Sequence, residues 1–288
     1  MAFKNILVQL DNHRNCESRL ETAIALAQQS EGRISALYGF ELPPSPKVSY
    51  AVAESYYATS DAERETYERQ RDGAFDDATQ FERAFYAAAR RANVPAAWEL
   101  WPEKPKDLIE TITLRARYAD IAILGQADPD HPLFHPLASL PEMVMLGCGR
   151  PVLIIPHSAR VSAIGKRILI AWNGTREAAR AVADAMPLLI ASETVTVLTI
   201  APENNENLAQ PAHELARQLA QHGIHAEASH LTARDLDAGD LILSRVEDLA
   251  CDLLVMGGYG HSRTREFILG GVTHVVLESM TVPVLMSH

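Results

Sequence analysis

Apolar residues in this chain fall into two kinds of stretch. Some are short unbroken runs, and others recur every three or four positions, so strands and helices are predicted to alternate. Residues 4–11 read as a strand that ends in the carboxylate of Asp11. Residues 16–29 place Leu20, Ile24 and Ala27 at helical spacing, Gly32 is expected to end that helix, and residues 34–40 form a second strand. Pro43-Pro44-Ser45-Pro46 breaks the pattern. A long charged helix over 61–92 follows, read as a solvated face over one apolar stripe. A strand is then predicted at 94–100, a helix at 106–117, a strand at 121–124, a short helix at 139–146 and a proline-bracketed strand at 151–156.

Residues 158–165 are small and polar, a linker, after which the pattern restarts. A strand over 166–173 echoes 4–12; a helix over 176–190, a strand over 195–200, a helix over 205–222, a strand over 224–231 and a helix over 240–249 follow. The last stretch carries an apolar run over 253–256, Gly257, Gly258 and Gly260, the pair Gly270-Gly271, a helix over 272–279 and a final strand after Pro283. The correspondence is checkable by offset. Lys4 maps onto Lys166 at 162, whereas Asp120 maps onto Asp252 and Pro151 onto Pro283 at 132. The two offsets differ by 30, which places an insertion of that length at about 42–71 in the first half. The chain thus reads as a duplicated βα unit, with domains at 1–157 and 166–288. Alternating strands and helices imply an α/β fold with a parallel sheet covered on both faces.

Bulk properties narrow the function. A net charge of −11 argues against a nucleic-acid groove, which needs a basic footprint. It leaves room for an anionic small ligand held by local backbone dipoles. No apolar run approaches the ~18 residues that span a bilayer, and the opening residues lack a charged-then-apolar signal layout. A cytoplasmic protein with no membrane contact is expected. Cys16, Cys148 and Cys251 are far apart and form no C-x-x-C pair, so free thiols are expected. His131 and His135 have metal-like spacing, but Pro132 and Pro136 break the helix that would align their rings, and no metal site is assigned. Asp11 with His13 reads as a strand-end turn.

The candidate chemistry lies in the glycine-rich stretch. Glycines let backbone N–H groups approach a ligand closely, and a helix N-terminus adds orphan N–H groups that favour an anion. The spacing Gly257-x2-Gly260-x9-Gly270 is neither the G-x-G-x-x-G of dinucleotide folds nor a P-loop. It closely resembles the ATP-binding loop of the universal stress protein family, G-x2-G-x9-G-[ST], and Pro283-Val284-Leu285 fits that family's last strand. The resemblance covers nearly the whole chain. It implies two tandem doubly wound parallel five-stranded sheets of strand order 3-2-1-4-5, adenine nucleotide alpha hydrolase-like. The crevice would lie between strands one and four, and strand five would pair the halves as an intramolecular pseudo-dimer.

The implied ligand is ATP, or AMP or ADP, with Mg²⁺ beside the phosphates. It would be held in the second half by Asn173, Gly257, Gly258, Gly260, His261, Ser262, Arg263, Gly270, Gly271 and Val272. Arg265 could also reach a phosphate. Two positions depart from the pattern: the family's strand-end Asp is Asn173, and its final Ser/Thr is Gly271. In the first half Asp11 and the hydroxyl of Ser139 are kept, but Gly260 and Gly270 map onto Asp128 and Ala138, with Pro129 and Pro132 nearby. Carboxylates repel phosphate and proline lacks an N–H donor, so this half is read as degenerate. No general base is legible. The reading is a stress-response or regulatory protein rather than a dedicated enzyme, with weak ATPase activity, a homodimer and a protein partner left open. The alternatives are an assembly protein with two vestigial sites, and an ATP-using hydrolase or adenylating enzyme.

Overall fold

The structure, a computed structural model, describes residues 2–11, 16–39, 61–101, 105–127, 139–157, 164–202, 209–233, 237–259 and 271–288. The first half runs β1 (Asn5–Leu10), α1 (Cys16–Ser30), β2 (Arg33–Gly39), α2 (Asp61–Arg91), β3 (Ala96–Trp101), α3 (Pro105–Ala116), β4 (Ile121–Gly125), α4 (Leu140–Cys148) and β5 (Val152–Ile155). The second runs β6 (Arg167–Ala171), α5 (Arg176–Ala191), β7 (Thr194–Pro202), α6 (Gln210–Ala220), β8 (Ala226–Ala233), α7 (Ala238–Asp248), β9 (Leu253–Gly257), α8 (Gly271–Ser279) and β10 (Val284–Ser287).

Each half has the expected order 3-2-1-4-5, but the two sheets are continuous. The order across the molecule is β3-β2-β1-β4-β5-β10-β9-β6-β7-β8. Strands within each half are parallel, and β5 and β10 pair antiparallel at the junction. Val152–Ile155 and Val284–Ser287 are fully apolar on both faces or nearly so, and each would otherwise be an open hydrophobic edge. Pairing removes both edges at once.

Strand alternation divides the interior into two layers. Ile6, Val8 and Leu10 of β1 face one layer with α1, α2, α5 and α6, and Leu7 faces the other with α3, α4, α7 and α8. Helix α2 buries Ala78, Phe85 and Ala89, with Ala74 and Phe81 half-buried beside them; that is one apolar stripe at helical spacing on an otherwise solvated helix. Paired carboxylates close the amino ends of the central strands. Asp120 Oδ2 accepts from the N–H groups of Lys4 and Asn5, and Asp252 accepts from those of Gly165, Lys166 and Arg167. These equivalent residues are structural and lie at the end of the sheet opposite the carboxyl ends of the parallel strands.

Some boundaries shift. The third strand begins at Ala96 rather than 94, because Val94 N–H still bonds Ala89 O and Asn93 is left-handed at φ 55°. The strand predicted at 224–231 lies at Ala226–Ala233. Gly32 is not the left-handed residue that ends α1; Glu31 takes that role at φ 47°. Gly32 is required for close approach, since a Cβ there would lie 2.5 Å from Phe3 O. Among the described residues, no helix is long and apolar enough to cross a membrane.

Candidate functional site

In an open α/β sheet, ligands bind beyond the carboxyl ends of the strands where the winding reverses. In the second half that point lies between β6 and β9. Past β6, Asn173 Oδ1 accepts from Thr175 N–H at 3.2 Å and from Thr175 Oγ at 2.8 Å. Thr175 in turn caps α5, its hydroxyl accepting from Ala178 N–H. The Asn at this position thus turns the chain tightly into the helix, with Gly174 left-handed at φ 73°. Asn173 is exposed, so its amide remains at the crevice surface.

Gly257 ends β9 against the first turn of α5. A Cβ on it would lie 2.4 Å from Ala178 N, so only glycine lets strand and helix meet. Gly258 N–H bonds Ser287 O, and Gly258 O contacts His288 Nδ1 at 3.0 Å. Tyr259 then adopts a left-handed φ of 54°, and its N–H donates to Thr273 Oγ1 in α8. Gly271 opens α8, exposed, and the nearest atom to a Cβ there would be Asp237 Oδ2 at 4.0 Å. Val272 is half-buried and packs into the core beside it. Asn173 thus follows β6, Gly257 and Gly258 lie at the end of β9, and Gly271 and Val272 open α8, all on the carboxyl-end side of the sheet. Gly260, His261, Ser262, Arg263 and Gly270, like Arg265, lie outside the described residues, as do His13, Asp128, Pro129, His131, His135 and Ala138 of the first half.

Several residues on this side of the sheet escaped the sequence reading. Glu177, with its side chain 5% exposed, pairs with Arg176 at 2.5 Å in the first turn of α5. The hydrogen bond from Arg176 holds its carboxyl below the ordinary value despite opposing burial, with smaller contributions from the local backbone and from His288. Asp237 caps α7 by accepting from Gly239 N–H at 2.7 Å, and the same carboxylate stands near the start of α8. The first half also reaches the loop. A Cβ on Gly258 would meet Met145 Sδ of α4 at 2.5 Å, and burial raises the Tyr259 phenol well above its ordinary range, with Glu142 of α4 adding to the effect. In the opposite direction, Gln126 after β4 donates to the carbonyls of Leu277 and Glu278 in α8, and its Oε1 accepts from His157 N–H. Each half thus braces the last helix or the loop of the other.

At the corresponding point of the first half, Arg19 lies between the ends of β1 and β4. Arg19 donates to Gln9 Oε1 and Asp11 Oδ1, both at 2.5 Å. Burial is the largest influence and works against the charge, but Asp11 and Cys16 together outweigh it, and the guanidinium is held even more firmly protonated than usual. Asp11, which the resemblance assigns to the adenine, is therefore engaged internally. Ser139 precedes α4 without a side-chain capping bond. Cys16, Cys148 and Cys251 are buried and unpaired, and burial raises each thiol's pKa, which keeps them poor nucleophiles. Among the described residues, no cluster of His, Cys, Asp or Glu has the makings of a metal site.

Comparison with known proteins agrees with this architecture. The model of the universal stress protein family matches residues 2–156 and again residues 165–288. A stretch of 146 residues is 27% identical to universal stress protein Slr1230 of Synechocystis; it covers 50% of this chain and 49% of that protein, so the match spans about half the length of its relative. Among solved structures, a universal stress protein from Archaeoglobus fulgidus is similar over 98% of this chain and 95% of its own, with a TM-score of 0.69 at 16% identity. A putative universal stress protein from Pseudomonas aeruginosa is similar over 99% and 93%, with a TM-score of 0.61 at 17% identity. At these identities the likeness speaks for the fold alone.

Proposed function

The chain belongs to the universal stress protein family, and from that premise we propose that it binds one adenine nucleotide, in its second domain, in a stress-response or regulatory role. The domains are taken as 1–157 and 166–288. The observation that carries the reading is the glycine spacing of 257, 258, 260, 270 and 271 on a frame that brings the end of β9 beside the start of α8, where Tyr259 N–H donates to Thr273 Oγ1. Backbone N–H groups at such a helix start favour phosphate without any basic side chain. This suits a chain with a net charge of −11.

In this reading Asn173 offers its Nδ2 to the adenine edge as a donor, since its Oδ1 is already taken twice by Thr175. Gly260 gives the backbone close approach to the ribose and phosphates, while Gly257 and Gly258 set the course of the loop by packing against α5 and α4. His261, Ser262, Arg263, Gly270, Gly271 and Val272 complete the loop, with Mg²⁺ accompanying the phosphates of ATP or ADP. Binding rather than turnover is the activity proposed. Isothermal calorimetry with ATP tests the reading. One site per chain is expected, abolished by Gly260→Val, which sets a branched side chain where the ligand must come close, and retained in Ser139→Ala. Two equivalent sites, or the reverse pattern between the two variants, would overturn it.

A further inference from the structure

The first domain's crevice is built around a positive charge. Arg19 lies in the first turn of α1 and is 3% exposed. Its two terminal nitrogens reach Gln9 Oε1 and Asp11 Oδ1, and Gln9 Nε2 donates to Asp11 Oδ2 at 2.9 Å. The amide therefore orients the carboxylate while its own oxygen takes the second nitrogen. Gly125, the last residue of β4, faces the same group: a Cβ there would lie 2.6 Å from Arg19 Nη1. The guanidinium thus sits between the carboxyl ends of β1 and β4, at the point where the winding of this half reverses.

The second domain fills the equivalent place differently. At the offset of 162, Arg19 corresponds to Ala181, which is also buried. Gly257 meets the backbone of Glu177 and Ala178 instead of a side chain. A fully buried cation is tolerated only where its charge is paired; here Asp11 supplies the pairing and both terminal nitrogens are bonded, while Nε has no partner among the described residues. A forked, planar donor against a carboxylate and an oriented amide oxygen is the geometry that guanidinium satisfies and ammonium does not.

We propose that the crevice of the first domain is a guanidinium-binding site occupied internally by Arg19, the chemical inverse of the anion-favouring mouth of the second domain. Gln9, Asp11, Arg19 and Gly125 form this site whether or not the second domain binds a nucleotide. Asp11 and Gln9 remain in place when Arg19 is shortened, so an external planar cation should take over the vacated space.

Thermal melting of the full chain tests this, with methylguanidinium at millimolar concentration as the probe and methylammonium at equal concentration as the control. Arg19→Ala should melt below the wild type and recover several degrees with methylguanidinium, not with methylammonium. The wild type should not respond, and the Arg19→Ala/Asp11→Asn double variant should lose the recovery. Equal response in wild type and variant, equal rescue by methylammonium, or rescue that survives Asp11→Asn would overturn the proposal. So would an Arg19→Ala protein that ignores methylguanidinium but gains adenosine binding, which would mark a plugged nucleoside site. Should Arg19→Ala fail to fold, Arg19→Lys decides: it keeps the charge without the fork and should melt several degrees below the wild type, whereas wild-type stability would refute the site. Calorimetry with ATP on the wild type is a separate measurement, so failure of the nucleotide reading is distinguishable from failure here.

Discussion

Leu153 of β5 and Leu285 of β10 stand directly opposite each other across the antiparallel junction of the sheet, and they are equivalent positions of the repeat, separated by the offset of 132. Equivalent residues face each other where a local twofold axis passes between them. Both are fully buried in one core layer that spans the two domains. The duplication is therefore also an internal dimer, and its axis runs through this pair.

Truncating either residue should be costly and the two costs should overlap. Leu153→Ala and Leu285→Ala are each expected to lose about 2–5 kcal/mol, the range for buried leucines. Side chains this close couple, so the double variant should depart from the sum by ~0.5 kcal/mol or more. Urea titrations of the four proteins check this; strict additivity would show that the two side chains do not share their packing.

Gly257 and Gly271 should respond in opposite ways. A Cβ at 257 collides with the backbone of α5, so Gly257→Ala should destabilise by ~1–3 kcal/mol, the usual cost of overpacking. Among the described residues a Cβ at 271 meets only Asp237 Oδ2, at 4.0 Å, so Gly271→Ser should leave the melting temperature nearly unchanged. On the proposed function it also restores a hydroxyl near the phosphates. One neutral hydrogen bond is worth ~0.5–1.5 kcal/mol, so ATP affinity should rise by up to roughly tenfold. Unchanged or weaker binding by a folded Gly271→Ser protein would count against phosphate at the start of α8.

Gln126 ties the first domain to the end of α8. Gln126→Ala removes two donors to Leu277 and Glu278 carbonyls and the acceptor of His157 N–H. A loss of ~1–3 kcal/mol is expected, because buried polar groups are left unpaired. Hydrogen exchange should quicken in the last turn of α8 before it does in α7; uniform exchange across both helices would contradict a local tie.

Glu177 gives the acid side of the stability profile. Its folded pKa lies below the ordinary 4.5, chiefly through the hydrogen bond from Arg176. A depressed carboxylate stabilises the fold above its unfolded pKa and loses that contribution as pH falls through the folded value. Glu177→Gln should therefore melt lower than the wild type at neutral pH, with the gap narrowing as pH drops below about 4.5 and closing beneath the folded pKa. A gap that is constant with pH, or that widens in acid, would show that the charge of Glu177 is not what matters.

Much of this protein was determined locally and could be read from the chain alone. Apolar periodicity located each strand and helix to within a few residues wherever the structure describes them, since a strand alternates every two positions and a helix every 3.6. The repeat, its insertion and the glycine spacing are likewise properties of order along the chain. Tertiary structure decided the rest. The spacing of Leu20, Ile24 and Ala27 says nothing of Arg19, which turns inward because Asp11, Gln9 and the missing side chain of Gly125 make a slot that only the folded sheet assembles. Gln126 finds carbonyls more than 150 positions away, Gly258 takes the Met145 side chain of the other domain, and β5 joins β10 to make one sheet of two. Periodicity reports which side of an element is apolar. Which residue meets a buried polar group, and across which edge two sheets join, depends on distances that exist only once the chain has closed on itself.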